Sequence, residues 1–103
     1  MIRKFTQYKV KEGKLIEVEK AIQAFVNAIA QEEPNTHYAA YRTEDPTVFV
    51  HTMAFPDAAA EELHQQADYT LKFVDALYPN CEEPPRFHDL TLISLAGGEI
   101  AAG

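Results

Sequence analysis

Tryptophan is absent from this chain, and cysteine occurs once, at Cys81. A single thiol excludes an internal disulfide and favours a reducing compartment, so a cytoplasmic protein is expected. Basic residues are also scarce: nine Lys and Arg stand against 16 Asp and Glu, a net charge of −7. That balance argues against nucleic acid, which needs clustered cations, and against an anionic membrane surface. No run is long and apolar enough to span a bilayer. Met1-Ile2-Arg3-Lys4-Phe5 enters a strand-like pattern with no apolar leader before it. No glycine-rich phosphate loop, nucleotide fingerprint or Ser-His-Asp order is present.

What remains is an ordinary globular composition. Hydrophobic residues make up 47% of 103 residues, enough for one packed domain and too many for disorder. We expect that domain over 1–96, with a flexible tail over 97–103 after Gly97-Gly98.

The hydrophobic pattern alternates between the two common periods. Residues 2–11, with Ile2, Phe5, Tyr8 and Val10, read as a strand, although Phe5 is out of phase with Tyr8 and a bulge could intervene. Over 14–32, Leu15, Val18, Ile22, Phe25 and Ile29 step by three and four, the stripe of an amphipathic helix. Pro34 stops that helix, and Asn35 is a candidate for a positive φ at its exit. Residues 37–43 and 47–55 read as two strands joined by Glu44-Asp45-Pro46, hence an antiparallel hairpin. Asp57 is placed to cap a helix to about Ala67. Asp68 is placed to cap a second piece through Tyr78, with Leu71, Val74 and Tyr78 as its stripe. Pro79 to Pro85 read as a loop, with Cys81 exposed, and 86–96 as a last strand. The order β-α-β-β-α-β predicts an α+β fold of the ferredoxin-like kind, an antiparallel sheet with helices on one face. The other face, carrying Val48, Val50 and Thr52, would be bare, and a second copy is the simplest cover, so a homodimer is expected.

The candidate site follows from the strand at 47–55. Side chains alternate along it, so Phe49, His51, Met53 and Phe55 share one face. The helix after Asp57 folds back and brings His64 to that face. His64 is the candidate for chemistry, because an imidazole changes charge near neutral pH; the bland alternative is a histidine that fills space under its helix. His51 could pair across the space or bond a backbone group in the core. Phe49, Met53, Phe55 and Phe73 form an apolar wall or plain core. Tyr8, Tyr38, Tyr41 and Tyr69 supply phenols of unknown facing. No spacing of His, Cys or carboxylates suggests a metal.

Three stretches carry a resemblance over nearly the whole chain, from Phe5 to about Leu95. They are Glu33-Pro34-Asn35-Thr36, Asp45-Pro46-Thr47-Val48-Phe49-Val50, and Phe55-Pro56-Asp57 followed by His64. The chain resembles the antibiotic-biosynthesis-monooxygenase family of dimeric α+β barrels. That resemblance implies a cofactor-independent monooxygenase acting on a small aromatic or quinol. His64 would be catalytic, and His51, Phe49, Met53, Phe55, Tyr69 and Phe73 would hold substrate. The alternative is a non-catalytic dimeric barrel binding a small hydrophobic ligand. The sequence departs from the family at Phe55, where a Trp is usual, at Tyr69, where a second His is common, and at Asn35, where Gly is frequent. Thr6 stands where the haem-degrading branch has Asn. The loss of that Asn together with the Trp argues against haem degradation.

Overall fold

The computed structural model describes residues 1–97. In chain order it contains β1 (Ile2–Lys9), α1 (Leu15–Glu32), β2 (His37–Arg42), β3 (Val48–Phe55), α2 (Ala58–Gln66), α3 (Asp68–Leu77), a 3-10 turn (Tyr78–Asn80) and β4 (Arg86–Leu90). The four strands form one antiparallel sheet in the order β2-β3-β1-β4. The class is therefore α+β with the ferredoxin-like order.

The β2–β3 hairpin is closed by its turn chemistry. The Val48 amide donates to the Asp45 carbonyl at 3.0 Å, which puts Pro46 at the second position of the turn. The Asp45 carboxylate accepts from the Thr47 amide at 2.9 Å and the Thr47 hydroxyl at 2.7 Å. These bonds pull the Asp45 carboxyl below its usual range. A fixed turn fixes the register, and the register puts every second residue of β3 on one face. Phe49, His51, Met53 and Phe55 are buried there, while Val48, Val50, Thr52 and Ala54 are half-buried on the other face.

Thr6 and Tyr8 of β1 join the buried face. Phe5 is out of phase because it belongs to the outer face, where its ring lies 5.9 Å from that of His88; the pairing of β1 with β3 runs on without a bulge. β1 ends at Lys9, short of the expected residue 11. Val10 makes one bridge to Cys81 instead. Cys81 is therefore buried, not exposed in a loop, and burial raises its thiol pKa.

Helix α1 buries Val18, Phe25 and Ile29. Its exit needs no positive φ: Glu33 is the C-cap residue, and Asn35 lies outside the left-handed region. Asp57 caps α2, its carboxylate accepting from the Ala60 amide at 2.8 Å. The expected break between the two helical pieces falls at Ala67, whose backbone is extended (φ −64, ψ 144). Ala67, not Asp68, is the cap position of α3, and no side chain caps it. The break also resets the phase of α3: Thr70, Phe73 and Leu77 face inward, whereas Leu71 and Tyr78 are exposed.

The last strand stops at Leu90, well short of residue 96. Its sole sheet partner is β1, and Leu90 already pairs with Arg3, so β1 runs out. Leu92, Ile93 and Leu95 follow without regular structure and are exposed. Beyond Gly97, the tail expected over 97–103 lies outside the described residues.

Candidate functional site

A cavity of about 250 Å³ lies between the inner sheet face and helices α2 and α3. Its wall is rich in aromatic rings and includes Phe25, Phe55, Phe73 and Phe87. Phe25 stacks on Phe73 with centroids 4.3 Å apart, which fixes the helical side of the wall. A groove of about 700 Å³ lined by Gln7, Glu82, Glu83 and Arg86 is larger, but those residues are exposed, and Tyr8, which it shares with the cavity, is the one buried residue on its wall. The 250 Å³ cavity gathers two polar clusters.

The first is built on the sheet. His51 sits mid-strand on β3, with Thr6 of β1 opposite it on one side and Ala40 of β2 on the other. Its diagonal neighbours on the same face are Tyr8 and Tyr38, close enough for long side chains to meet. Both do. The Tyr8 hydroxyl lies 2.7 Å from His51 Nε2, and the Tyr38 hydroxyl lies 2.7 Å from Nδ1. The imidazole is 1% exposed, and burial lowers its pKa from 6.5 to about 4, so it is neutral near pH 7. Burial also pushes both phenols well above the usual tyrosine range.

The second is built where three helices converge. Glu33 ends α1, His64 lies in the last turn of α2, and Tyr69 opens α3. One oxygen of Glu33, Oε2, lies 2.8 Å from His64 Nδ1 and accepts from the Tyr69 hydroxyl at 2.5 Å. In the neutral ring, a carboxylate opposite Nδ1 holds the proton there and leaves Nε2 with a lone pair. His64 lines the cavity and Glu33 does not, so Nε2 is the nitrogen left for a ligand. The ring is fixed by Phe55 at 4.9 Å, Phe25 at 5.6 Å and Tyr38 at 5.8 Å between centroids. Lys4 and Glu61, paired at 2.6 Å, complete the rim. Burial and Glu33 together raise the Tyr69 phenol.

Of the residues singled out from sequence, His64, His51, Met53, Phe55 and Phe73 meet at this cavity. Phe49 does not; it packs in the core against Tyr8, with centroids 5.8 Å apart. Tyr69 is off the wall too, its hydroxyl committed to Glu33. Tyr41 is exposed. Glu33 was not foreseen. The signal that could have found it is its place: an acid at the C-terminal end of a helix opposes the dipole and needs a reason to be there. Among the described residues, no three His, Cys, Asp or Glu side chains stand together as a metal site, and no helix is long and apolar enough to cross a membrane.

The fold and cavity define a small α+β domain with a cavity of about 250 Å³ between two histidine-centred clusters. The sequence profile described as antibiotic biosynthesis monooxygenase matches residues 1–76, from β1 through nearly all of α3. The chain belongs to that family. No curated protein matches it. Among solved structures, it is similar to an antibiotic biosynthesis monooxygenase at 19% identity, with a TM-score of 0.83, covering 91% of this chain and 100% of the other. A candidate member of that family from Caulobacter crescentus is similar at 21% identity and TM-score 0.82, covering 90% of each chain. Another from Nitrosomonas europaea is similar at 20% identity and TM-score 0.81, covering 91% of this chain and 100% of the other. At these identities the likeness carries the fold.

Proposed function

We propose that the protein is a cofactor-independent monooxygenase of a small aromatic or quinol-like substrate bound in the 250 Å³ cavity. The observation that carries this reading is His64: one ring nitrogen is anchored 2.8 Å from Glu33, and the other is left for the cavity. In this reading Nε2 takes the proton of a substrate hydroxyl, and Glu33 acts as a positioning residue that keeps the second ring proton on Nδ1. The substrate anion then reduces dioxygen with its own electron pair. One oxygen atom ends on the ring and the other leaves as water with two substrate hydrogens. For a hydroquinone the products are a hydroxyquinone and water. Met53, Phe55 and Phe73 keep solvent from the reacting carbon. Phe49 and Tyr69, expected at the substrate, act one layer back, through packing and through Glu33.

Oxygen uptake with a panel of hydroquinones, followed for the native protein and His64→Gln, tests this. Uptake that falls by about 100-fold or more in the variant is the expected result. No uptake from any member would leave the alternative, a barrel that binds a small hydrophobic ligand without turnover, which the absence of Trp at Phe55 favours. In the same reading the protein works as a homodimer in the cytoplasm. The half-buried outer face with Val48, Val50 and Thr52 supports a second copy there, and the lone Cys81 supports a reducing compartment. Light scattering at micromolar concentration should give twice the chain mass, and Val50→Asp should halve it or unfold the protein.

A further inference from the structure

The Tyr8–His51–Tyr38 cluster holds more protons than it can use. A neutral imidazole has one N–H and one lone pair, and here each ring nitrogen faces a phenol oxygen at 2.7 Å. One phenol donates to the lone pair. The N–H donates to the oxygen of the other phenol, whose own proton then has nowhere to go within the cluster. A protonated imidazole would donate at both ends and release two phenol protons, not one. In every protonation state of the ring, therefore, at least one tyrosine O–H is uncommitted. Neither hydroxyl has a second acceptor among the described residues, and both tyrosines line the cavity. A buried donor without an acceptor is costly, so the acceptor has to come from outside the chain.

We infer that this spare phenol O–H is a binding contact for an oxyanion on the ligand, a phenolate or enolate oxygen, with His51 as the relay that passes the proton requirement between Tyr8 and Tyr38. A charged acceptor makes the shorter and stronger bond, and a fixed donor in a largely apolar cavity stabilises developing charge without having to reorient. The chain Tyr–His–Tyr adds to this, because each bond polarises the next. Burial keeps both phenols in their protonated, donating form. The inference rests on the cavity being the substrate site. It adds a role opposite to that of His64: His64 Nε2 accepts a proton, and the tyrosine pair binds the anion that is left.

The test uses 4-nitrophenol and its methyl ether, 4-nitroanisole, with no turnover required. Below the free phenol's own pKa, bound 4-nitrophenol should develop the yellow phenolate band, and the ether should bind at least tenfold more weakly. Tyr8→Phe and Tyr38→Phe should each weaken that preference, and the double variant should abolish it while leaving the ether's affinity within about twofold. Equal binding of phenol and ether to the native protein overturns the inference whatever the variants do, and so does failure to bind either. Phenolate binding with no oxygen uptake from the hydroquinones would keep this contact and remove the oxygenase reading. Oxygen uptake without a phenol-over-ether preference would do the reverse.

Discussion

His51 and His64 face the same cavity from surroundings that differ in charge. His51 grows from the centre of a sheet, where three strands fix its backbone, and both its nitrogens meet neutral phenols. His64 grows from the end of a nine-residue helix, and one nitrogen meets a carboxylate while the other is left open. A neutral, fully bonded imidazole is costly to charge and serves to hold and polarise its neighbours. An imidazole anchored at one end by a carboxylate, with its other end in a cavity, suits the proton exchange proposed for it. The two rings are of one residue type and both are buried. What separates them is the partner on Nδ1: a tyrosine in one case, a glutamate in the other.

The largest effect expected from this contrast is on acid stability, and it belongs to His51. Its folded-state pKa is depressed to about 4, against 6.5 when unfolded. Between those values the unfolded chain binds a proton that the folded chain does not. Stability is therefore highest above pH 6.5 and falls as pH drops through that window toward 4, by about 3 kcal/mol in total. Urea denaturation at pH 7 and pH 4 should register the loss, and His51→Gln should remove most of the part due to this ring. A native protein no less stable at pH 4 than at pH 7 would mean that His51 is not held neutral, and the comparison would collapse.

A smaller effect tests the other cluster. Glu33→Ala strips the acceptor from both His64 Nδ1, which is buried, and the Tyr69 hydroxyl, which is half-buried. The expected cost is about 2 kcal/mol, read from the urea midpoint at pH 7. The nitrogen-15 shifts of the His64 ring should also change, because nothing then holds the proton on Nδ1. Glu33→Asp, which keeps the charge but retracts it, should restore less than half. An unchanged ring signal in Glu33→Ala would make the carboxylate a bystander and leave the two histidines alike.

The contrast between the two clusters also explains which of them the sequence could reveal. Alternation along 47–55 was enough to put His51, Met53 and Phe55 on one face, since a strand's period is fixed at two and the Asp45–Thr47 turn sets the register. His64 could be reached through the Asp57 cap and the helical turn. The bonds themselves were out of reach. Tyr8 and Tyr38 come from strands 43 and 13 residues away from His51, and which phenol turns inward depends on pairing that no local period encodes. Glu33 and Tyr69 approach His64 through the docking of three helices. The extended backbone at Ala67 shifted the phase of α3 and put Thr70 and Phe73 inward and Leu71 outward, while Val74 of the expected stripe still lines the cavity. The last strand failed for a simpler reason: residues 91–95 are suited to a strand, but beyond Arg3 only Ile2 of β1 was left to pair with them.

The smallest stability effect is expected at His64 itself, and it is the one that separates holding from acting. Glutamine is near the size of the imidazole, and its amide N–H can donate to Glu33 much as Nδ1–H does. His64→Gln should therefore cost only about 1 kcal/mol, the loss of ring contacts with Phe55 and Phe25 being partly offset by the retained bond. His51→Gln should cost more, because one amide cannot reach two phenols on opposite sides of a flat ring. Function should run the other way. An amide cannot accept a proton near neutral pH, so His64→Gln should lower oxygen uptake more than His51→Gln does, despite its milder effect on the melting temperature. Thermal unfolding and oxygen uptake, measured side by side on the two variants, give the ordering. If His64→Gln melts far lower than His51→Gln and turns over normally, the helix histidine is the structural one, and the proton acceptor has to be sought on the sheet.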